Sequence, residues 1–272
     1  MSMYADMHTH SEFSHDSTCK IEEMAKVQMA NGANIFAVTD HVDIASYQQY
    51  DIFSNIKRAN DSVTELNKIY GNKCKILSGV EIGEGFWYPE VCDEVLRLIK
   101  YDVVLGSVHF VRYQNMRQAY SQICFSDYTQ ELISEYLDAY FDDVLTMINI
   151  MEFDILCHLT CPLRYINGKY KKNTDIRIYG NKIKKILHTI IEKGIALEVN
   201  TSSWNLLGDF MPTKDILEEY YKMGGRLITI GSDAHRSEDA SQYFEQAIQT
   251  LKAIGYKDIY YFMERKPYQI KL

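Results

Sequence analysis

Two short stretches far apart in the chain carry residues that ligate metals: Met7-His8-Thr9-His10, and Gly231-Ser232-Asp233-Ala234-His235. Side chains two apart on a β-strand point the same way, so His8 with His10, and Asp233 with His235, would each present a pair of donors on one face. Two such pairs are suited to share one metal site. Between them, apolar and β-branched runs repeatedly end in an acid or an imidazole: Phe36-Ala37-Val38-Thr39-Asp40-His41, Ile76-Leu77-Ser78-Gly79-Val80-Glu81, Val103-Val104-Leu105-Gly106-Ser107-Val108-His109, Phe153-Asp154-Ile155-Leu156-Cys157-His158 and Ile195-Ala196-Leu197-Glu198-Val199-Asn200.

Of the eight histidines, six (His8, His10, His41, His109, His158, His235) fall at or just past these strand ends, beside Glu81, Asp16 and Asp233; His15 and His188 do not. One such imidazole is ordinarily structural, but six on one rim with three carboxylates read as a metal centre. Mixed imidazole and carboxylate donors suit zinc, iron or manganese. A zinc takes about three protein ligands and keeps one position open, so nine donors suffice for three ions if one carboxylate is shared. Neighbouring metals stabilise the attacking and leaving oxygens of a phosphoryl displacement, which makes phosphate-ester hydrolysis the natural chemistry.

Those donors need elements to hold them. Successive strand ends lie 28 to 49 residues apart, the length of a strand, a loop and a crossover helix. Helices are expected near 21–29, 54–70, 128–150, 176–193 with Gly194 as a stop, after Pro212 to Met223, and 240–254. A last strand-like run, Ile259 to Phe262, either closes or covers the sheet. The pattern is that of an α/β barrel, whose sites form at the C-terminal ends of its strands. At 272 residues, 46% apolar and with four prolines, residues 1–272 read as a single domain.

A net charge of −8 speaks against a general nucleic-acid binder, which would carry a basic stripe. The start, Met1-Ser2-Met3-Tyr4-Ala5-Asp6, has no secretory pattern and no apolar run is long enough to span a membrane, so a cytoplasmic protein with no membrane partner is expected. The six cysteines show no C-x-x-C pair, and Cys157 and Cys161 read as small buried hydrophobes rather than ligands. Gly83-Glu84-Gly85-Phe86-Trp87-Tyr88 reads equally as a pocket wall or as a packed loop.

His8-Thr9-His10, Thr39-Asp40-His41, Gly79-Val80-Glu81, Ser107-Val108-His109, Cys157-His158 and Gly231-Ser232-Asp233-Ala234-His235 together resemble the polymerase and histidinol phosphatase (PHP) family over nearly the whole chain. The resemblance implies a distorted TIM-like (β/α)7 barrel with two or three divalent metal ions (Zn, Fe or Mn) at its C-terminal rim. Carried over by position, His8, His10, Glu81 and Asp233 would hold the first ion, Glu81, His109 and His158 the second, and Asp16, His41 and His235 the third. Some family members have His where this chain has Asp16.

Within the family, the free-standing length, Ser107-Val108-His109-Phe110 and basic loops after His109 and His158 look most like its histidinol-phosphate phosphatases. The implied reaction is attack on phosphorus by a hydroxide bridging two metals, with Glu81, Asp233 and His235 as the catalytic group. Arg164, then Arg117 and Arg112, are the expected phosphate anchors on a small phosphorylated substrate, because guanidinium binds phosphate bidentately. Asp43, Glu12 and Glu198 are carboxylates near the rim without a role; Glu198 and Asn200 could orient ligand imidazoles. The rival readings are a family phosphoesterase acting on another ester or a nucleotide 3′ end, a non-catalytic metal-stabilised module, and a C–N hydrolase. The second is disfavoured because all nine ligand positions are filled, and the third because no strand end carries a lysine.

Overall fold

The structure, a computed structural model, describes residues 4–114 and 116–272, without the side chain of Met116; the opening Met1-Ser2-Met3 lies outside the described residues. Seven staves form one parallel barrel: β1 (Ala5–Thr9), β2 (Ile35–Val38) continued by β3 (His41–Asp43), β4 (Lys75–Gly83), β5 (Val103–Ser107), β8 (Ile155–Leu156), β9 (Ala196–Asn200) and β10 (Ile228–Gly231). β6 (Phe110–Tyr113) and β7 (Met116–Ala119) make an antiparallel hairpin after β5. The staves pair in the order β1-β2-β4-β5-β8-β9-β10. The ring closes through a parallel bridge between Thr9 and Ala234, where Asp233 N donates to His8 O (2.8 Å) and His10 N to Ala234 O (2.9 Å). The expected barrel is therefore present.

Helices α1 (Ile21–Ala30), α2 (Ile52–Tyr70), α3 (Pro89–Leu98), α4 (Gln130–Ile150), α5 (Gly180–Lys193), α6 (Trp204–Leu207), α7 (Lys214–Lys222) and α8 (Phe244–Ile254) cross between the strands. α4 shows why they dock: Ile133, Tyr136, Leu137, Tyr140, Phe141, Val144, Leu145 and Ile148 recur at three- and four-residue spacing and all are buried. The Thr129 hydroxyl caps its first turn by accepting from Leu132 N. Phe141 is fully buried between the rings of Tyr140 and Tyr179. Phe141→Ala is expected to destabilise the fold by about 3–5 kcal/mol, measurable as a lower denaturant midpoint.

α3 and the β6–β7 hairpin lie where the sequence expectation had no element. Of the two expectations for Ile259 to Phe262, the run covers the barrel rather than closing it: it lies in β11 (Asp258–Met263), which pairs with β12 (Lys266–Lys271) in a separate antiparallel hairpin and packs against β10 and β1. Its turn is fastened under the N-terminal end of the barrel, with Arg265 N donating to Asp102 O (2.8 Å) and the Arg265 guanidinium paired with Asp154. The last helix begins at Phe244 rather than 240, because Tyr243 has a left-handed backbone (φ 60°). Among the described residues, no helix is long and apolar enough to cross a membrane.

Candidate metal centre

The nine donors named from the sequence converge on the C-terminal rim of the barrel, and they do so as three triangles. His8 Nε2, His10 Nε2 and Asp233 Oδ1 lie 3.0, 3.2 and 3.6 Å apart. Glu81 Oε2 stands 3.4 Å from His8 Nε2 and 3.6 Å from His10 Nε2. Its other oxygen, Oε1, is 2.8 Å from His158 Nε2 and 3.2 Å from His109 Nε2, which are 3.4 Å from each other. Asp16 Oδ2, His41 Nε2 and His235 Nε2 are separated by 3.1, 3.4 and 3.5 Å. Ligands about 2.0–2.1 Å from a tetrahedral ion are roughly 3.3 Å from one another, so each triangle has the edge lengths of a ligand set. The two faces of Glu81 serve two of them.

The donor chemistry agrees. Glu81 Oε2 is buried and ringed by imidazole nitrogens, with His41 Nδ1 at 2.8 Å but out of hydrogen-bond alignment, a costly state for a carboxylate oxygen unless a cation faces it. Burial alone would raise the Glu81 carboxyl, but the imidazoles of His109, His41 and His8 hold it well below the usual carboxylate range. Burial likewise opposes ionisation of Asp233, and His8, His10 and Arg164 overcome it. Burial and the neighbouring His235 and His41 depress His10, keeping it neutral as a ligand must be.

The far side of four of the six imidazoles is anchored. His8 Nδ1 meets Glu198 Oε1 at 2.7 Å, His109 Nδ1 meets Asp43 Oδ1 at 2.8 Å, His10 Nδ1 meets Ser14 Oγ at 3.1 Å and His235 Nδ1 meets Asp233 O at 2.9 Å. Glu198 thus takes the orienting role foreseen for it, and Asp43 does the same for His109. Two strand glycines make room: a Cβ on Gly231 would lie 2.2 Å from Glu198 Oε1, and one on Gly83 2.5 Å from Asp43 Oδ1. Outer partners of this kind are worth 10–100-fold in metal affinity, so Glu198→Gln should lower affinity by about that factor in a competitive chelator titration. Gly231→Ala, which must displace the same carboxylate, should act in the same direction.

Several placements differ from the sequence reading. Asp233 and His235 do not share a strand face, because β10 stops at Gly231 and Asp233 turns through a left-handed backbone (φ 54°). Asp233 faces His8 and His10 while His235 faces Asp16 and His41, so the second pair is divided between two triangles. His158 also has positive φ (24°), a conformation uncommon outside glycine that concentrates at functional sites. Glu12 is not at the centre: its carboxylate accepts from Ile21 N at the start of α1.

Cys157, read as a plain buried hydrophobe, is buried but its sulfur lies within ligand distance of His8, Glu81 and His158. Glu84, unmarked in the sequence, accepts from the backbone N–H of His109 and of Phe110 and fixes the chain where β5 enters the hairpin. Nothing short of the fold would have found it, since the contact joins two strand ends.

A cavity of about 330 Å³ opens above the donors. Arg164 and Arg117 line it; Arg112 does not. The Arg164 guanidinium pairs with Asp233 Oδ2 (3.1 Å) and with Ser202. Arg112, expected as an anchor, instead lies 4.6 Å over the Trp87 ring, on the same face of the hairpin as Arg117 but outside the cavity wall. Phe86 and Trp87 are likewise absent from the cavity wall and pack beneath β6 and β7. The loop lysines do not reach it either: Lys172 Nζ is spent on the carbonyls of Ser126 and Tyr128.

The family described as the PHP domain matches residues 6–202. The chain belongs to the PHP family. Among curated proteins, this PHP chain is 29% identical over 252 residues to the Thermotoga maritima protein named "Probable histidinol-phosphatase", with 93% of each covered. It is 26% identical over 263 residues to the Lactococcus lactis "Histidinol-phosphatase", covering 96% of this chain and 95% of that one. Among solved structures, it superimposes on the histidinol phosphate phosphatase of Lactococcus lactis, a complex with zinc, L-histidinol and phosphate. That match has a TM-score of 0.77 and 23% identity, with 98% of this chain and 100% of that one covered. The seven-stave PHP barrel is thus shared from end to end.

Proposed function

We propose that this PHP chain is a metal-dependent phosphoric monoester hydrolase that converts L-histidinol phosphate to L-histidinol and phosphate in histidine biosynthesis, with residues 1–272 acting as one domain. The observation that carries the reading is the coincidence of three complete donor triangles around one cavity with full-length relatives named for this activity, one of them solved with zinc, L-histidinol and phosphate. Zinc, iron and manganese all suit the mixed imidazole and carboxylate donors. Six unpaired cysteines, five of them buried, suit a reducing cytoplasm.

In the proposed site, Glu81 joins the triangle of His8, His10 and Asp233 to that of His109 and His158, and Asp16, His41 and His235 form the third. Divalent ions held there would supply positive charge to the phosphoryl oxygens and would make hydroxide available near neutral pH. The chain does the rest. Glu81, fully buried, fixes the distance between two triangles. Asp233 is steered by Arg164 and by Ser202 Oγ (3.1 Å), so its second oxygen is free for the donors of β1. Arg164 then offers its remaining N–H groups to a phosphate oxygen as charge develops, and Arg117 enters from the hairpin. Asp43 and Glu198 hold His109 and His8 in single ring orientations.

The test is inorganic phosphate release from L-histidinol phosphate by metal-replete protein, alongside p-nitrophenyl phosphate and a single-stranded oligonucleotide. Turnover of the first in the ordinary enzymatic range of about 1–10³ s⁻¹ supports the reading. Turnover of only the generic ester, or of the oligonucleotide, overturns the substrate assignment.

A further inference from the structure

Arg112 and Arg117 are direct cross-strand partners on the β6–β7 hairpin, an arrangement that sets like charges side by side and costs stability. Among the described residues neither guanidinium has a carboxylate partner, although the chain carries 37 acidic residues. Both instead lie over one indole, Arg112 at 4.6 Å and Arg117 at 5.1 Å from the Trp87 ring centre. The indole is buried and wedged edge-on against Phe110, a residue of the cavity wall. The hairpin is fastened to α4 by Tyr113 Oη donating to Glu135 (2.8 Å) and Arg112 N donating to Asp143 (3.0 Å). Of the two cations, only Arg117 lines the cavity, whose wall also carries Asp16, Asp43 and Asp233.

We propose that Trp87 is a positioning residue that, with Arg112 behind it, holds Arg117 over the cavity mouth as the capture point for the substrate's phosphate dianion. The inference rests on the phosphatase reading above. Arg164 and the ions act deep in the cavity, so a dianion approaching a protein of charge −8 past Asp16 and Asp43 is drawn in faster where a further cation lines the wall. Arg117 supplies that cation. The Trp87 ring, through its negative face, offsets the repulsion between the two arginines and removes the rotamer freedom that would let Arg117 swing into solvent. The anion, once bound, pairs with Arg117 and so relieves its repulsion with Arg112.

The experiment is steady-state kinetics of metal-loaded Arg117→Ala, Trp87→Leu and Trp87→Phe, with inorganic phosphate as a competitive inhibitor and ionic strength varied. Loss of one charge-assisted contact should raise KM and the phosphate inhibition constant about ten-fold in Arg117→Ala, with a smaller change in kcat. Trp87→Leu should follow the same split, and Trp87→Phe, which keeps an aromatic face, should recover most of it. Wild-type kcat/KM should fall with salt more steeply than that of Arg117→Ala.

Unchanged KM and inhibition constant in Arg117→Ala would overturn the proposal. So would a Trp87→Leu protein that loses metal content and kcat together, since that marks a packing role only. If L-histidinol phosphate proves not to be the substrate, the same constants measured with p-nitrophenyl phosphate still decide whether Arg117 captures phosphate, so the two readings fail separately.

Discussion

Glu81→Gln is expected to lower kcat/KM for phosphate-ester hydrolysis by at least about 10³-fold. Removing a single electrostatic stabiliser from an active site typically costs 10²–10³, and Glu81 faces two donor triangles at once, through Oε2 to His8 and His10 and through Oε1 to His109 and His158. The amide leaves one neutral acceptor where two anionic oxygens stood. Metal analysis should therefore show the larger deficit at both of these triangles, while the third, where Glu81 touches only the far nitrogen of His41 (2.8 Å), should keep more of its ion. A variant that retained full metal content and more than a tenth of the activity would remove Glu81 from its bridging role.

Stripping the metals should abolish activity and also loosen the fold. The first triangle takes His8 and His10 from the start of the barrel and Asp233 from its end, across the seam closed by the two backbone hydrogen bonds between residues 8–10 and 233–234. An ion bound to the folded chain at a thousand times its dissociation constant adds about 4 kcal/mol, which for a chain of this size corresponds to a rise in Tm on the order of 10 °C. Thermal melts before and after chelation, with add-back of zinc or manganese, measure it. Equal melting with and without metal, in protein shown to load, would mean that the seam holds without the ion.

How far the sequence carried this picture depends on range. The staves were legible because each is a short apolar run ending in a ligand-type residue, a local pattern that the barrel preserves at Glu81, His109 and His158. α3 had a readable signal in Pro89 at its first position with Val91, Cys92 and Val95 on helical spacing. The β6–β7 hairpin did not: its strands lack regular alternation and its turn lacks an Asn-Gly or Asp-Gly pair. Spacing alone placed Asp233 and His235 together, whereas a single left-handed residue sends them to different triangles. The role of Glu84, the Trp87–Arg112 stack and the Glu198–His8 pair depend on strand ends meeting in space, which no local pattern encodes. Arg112 was misplaced for the same reason: its charge is visible in sequence, but the Trp87 ring that takes it up is brought there only by the fold.

The seam also has a bearing on when the centre can come into being. Asp233 and His235 follow His8 and His10 from the ribosome more than two hundred residues later, a delay of ten seconds or more at about 5–20 residues per second. Until then the first and the third triangle each lack one donor. Complete loading consequently waits for the Asp233–His235 segment: a product ending before Asp233 would hold the donors Glu81, His109 and His158 and most of the barrel, and yet neither close the ring nor retain a full complement of ions.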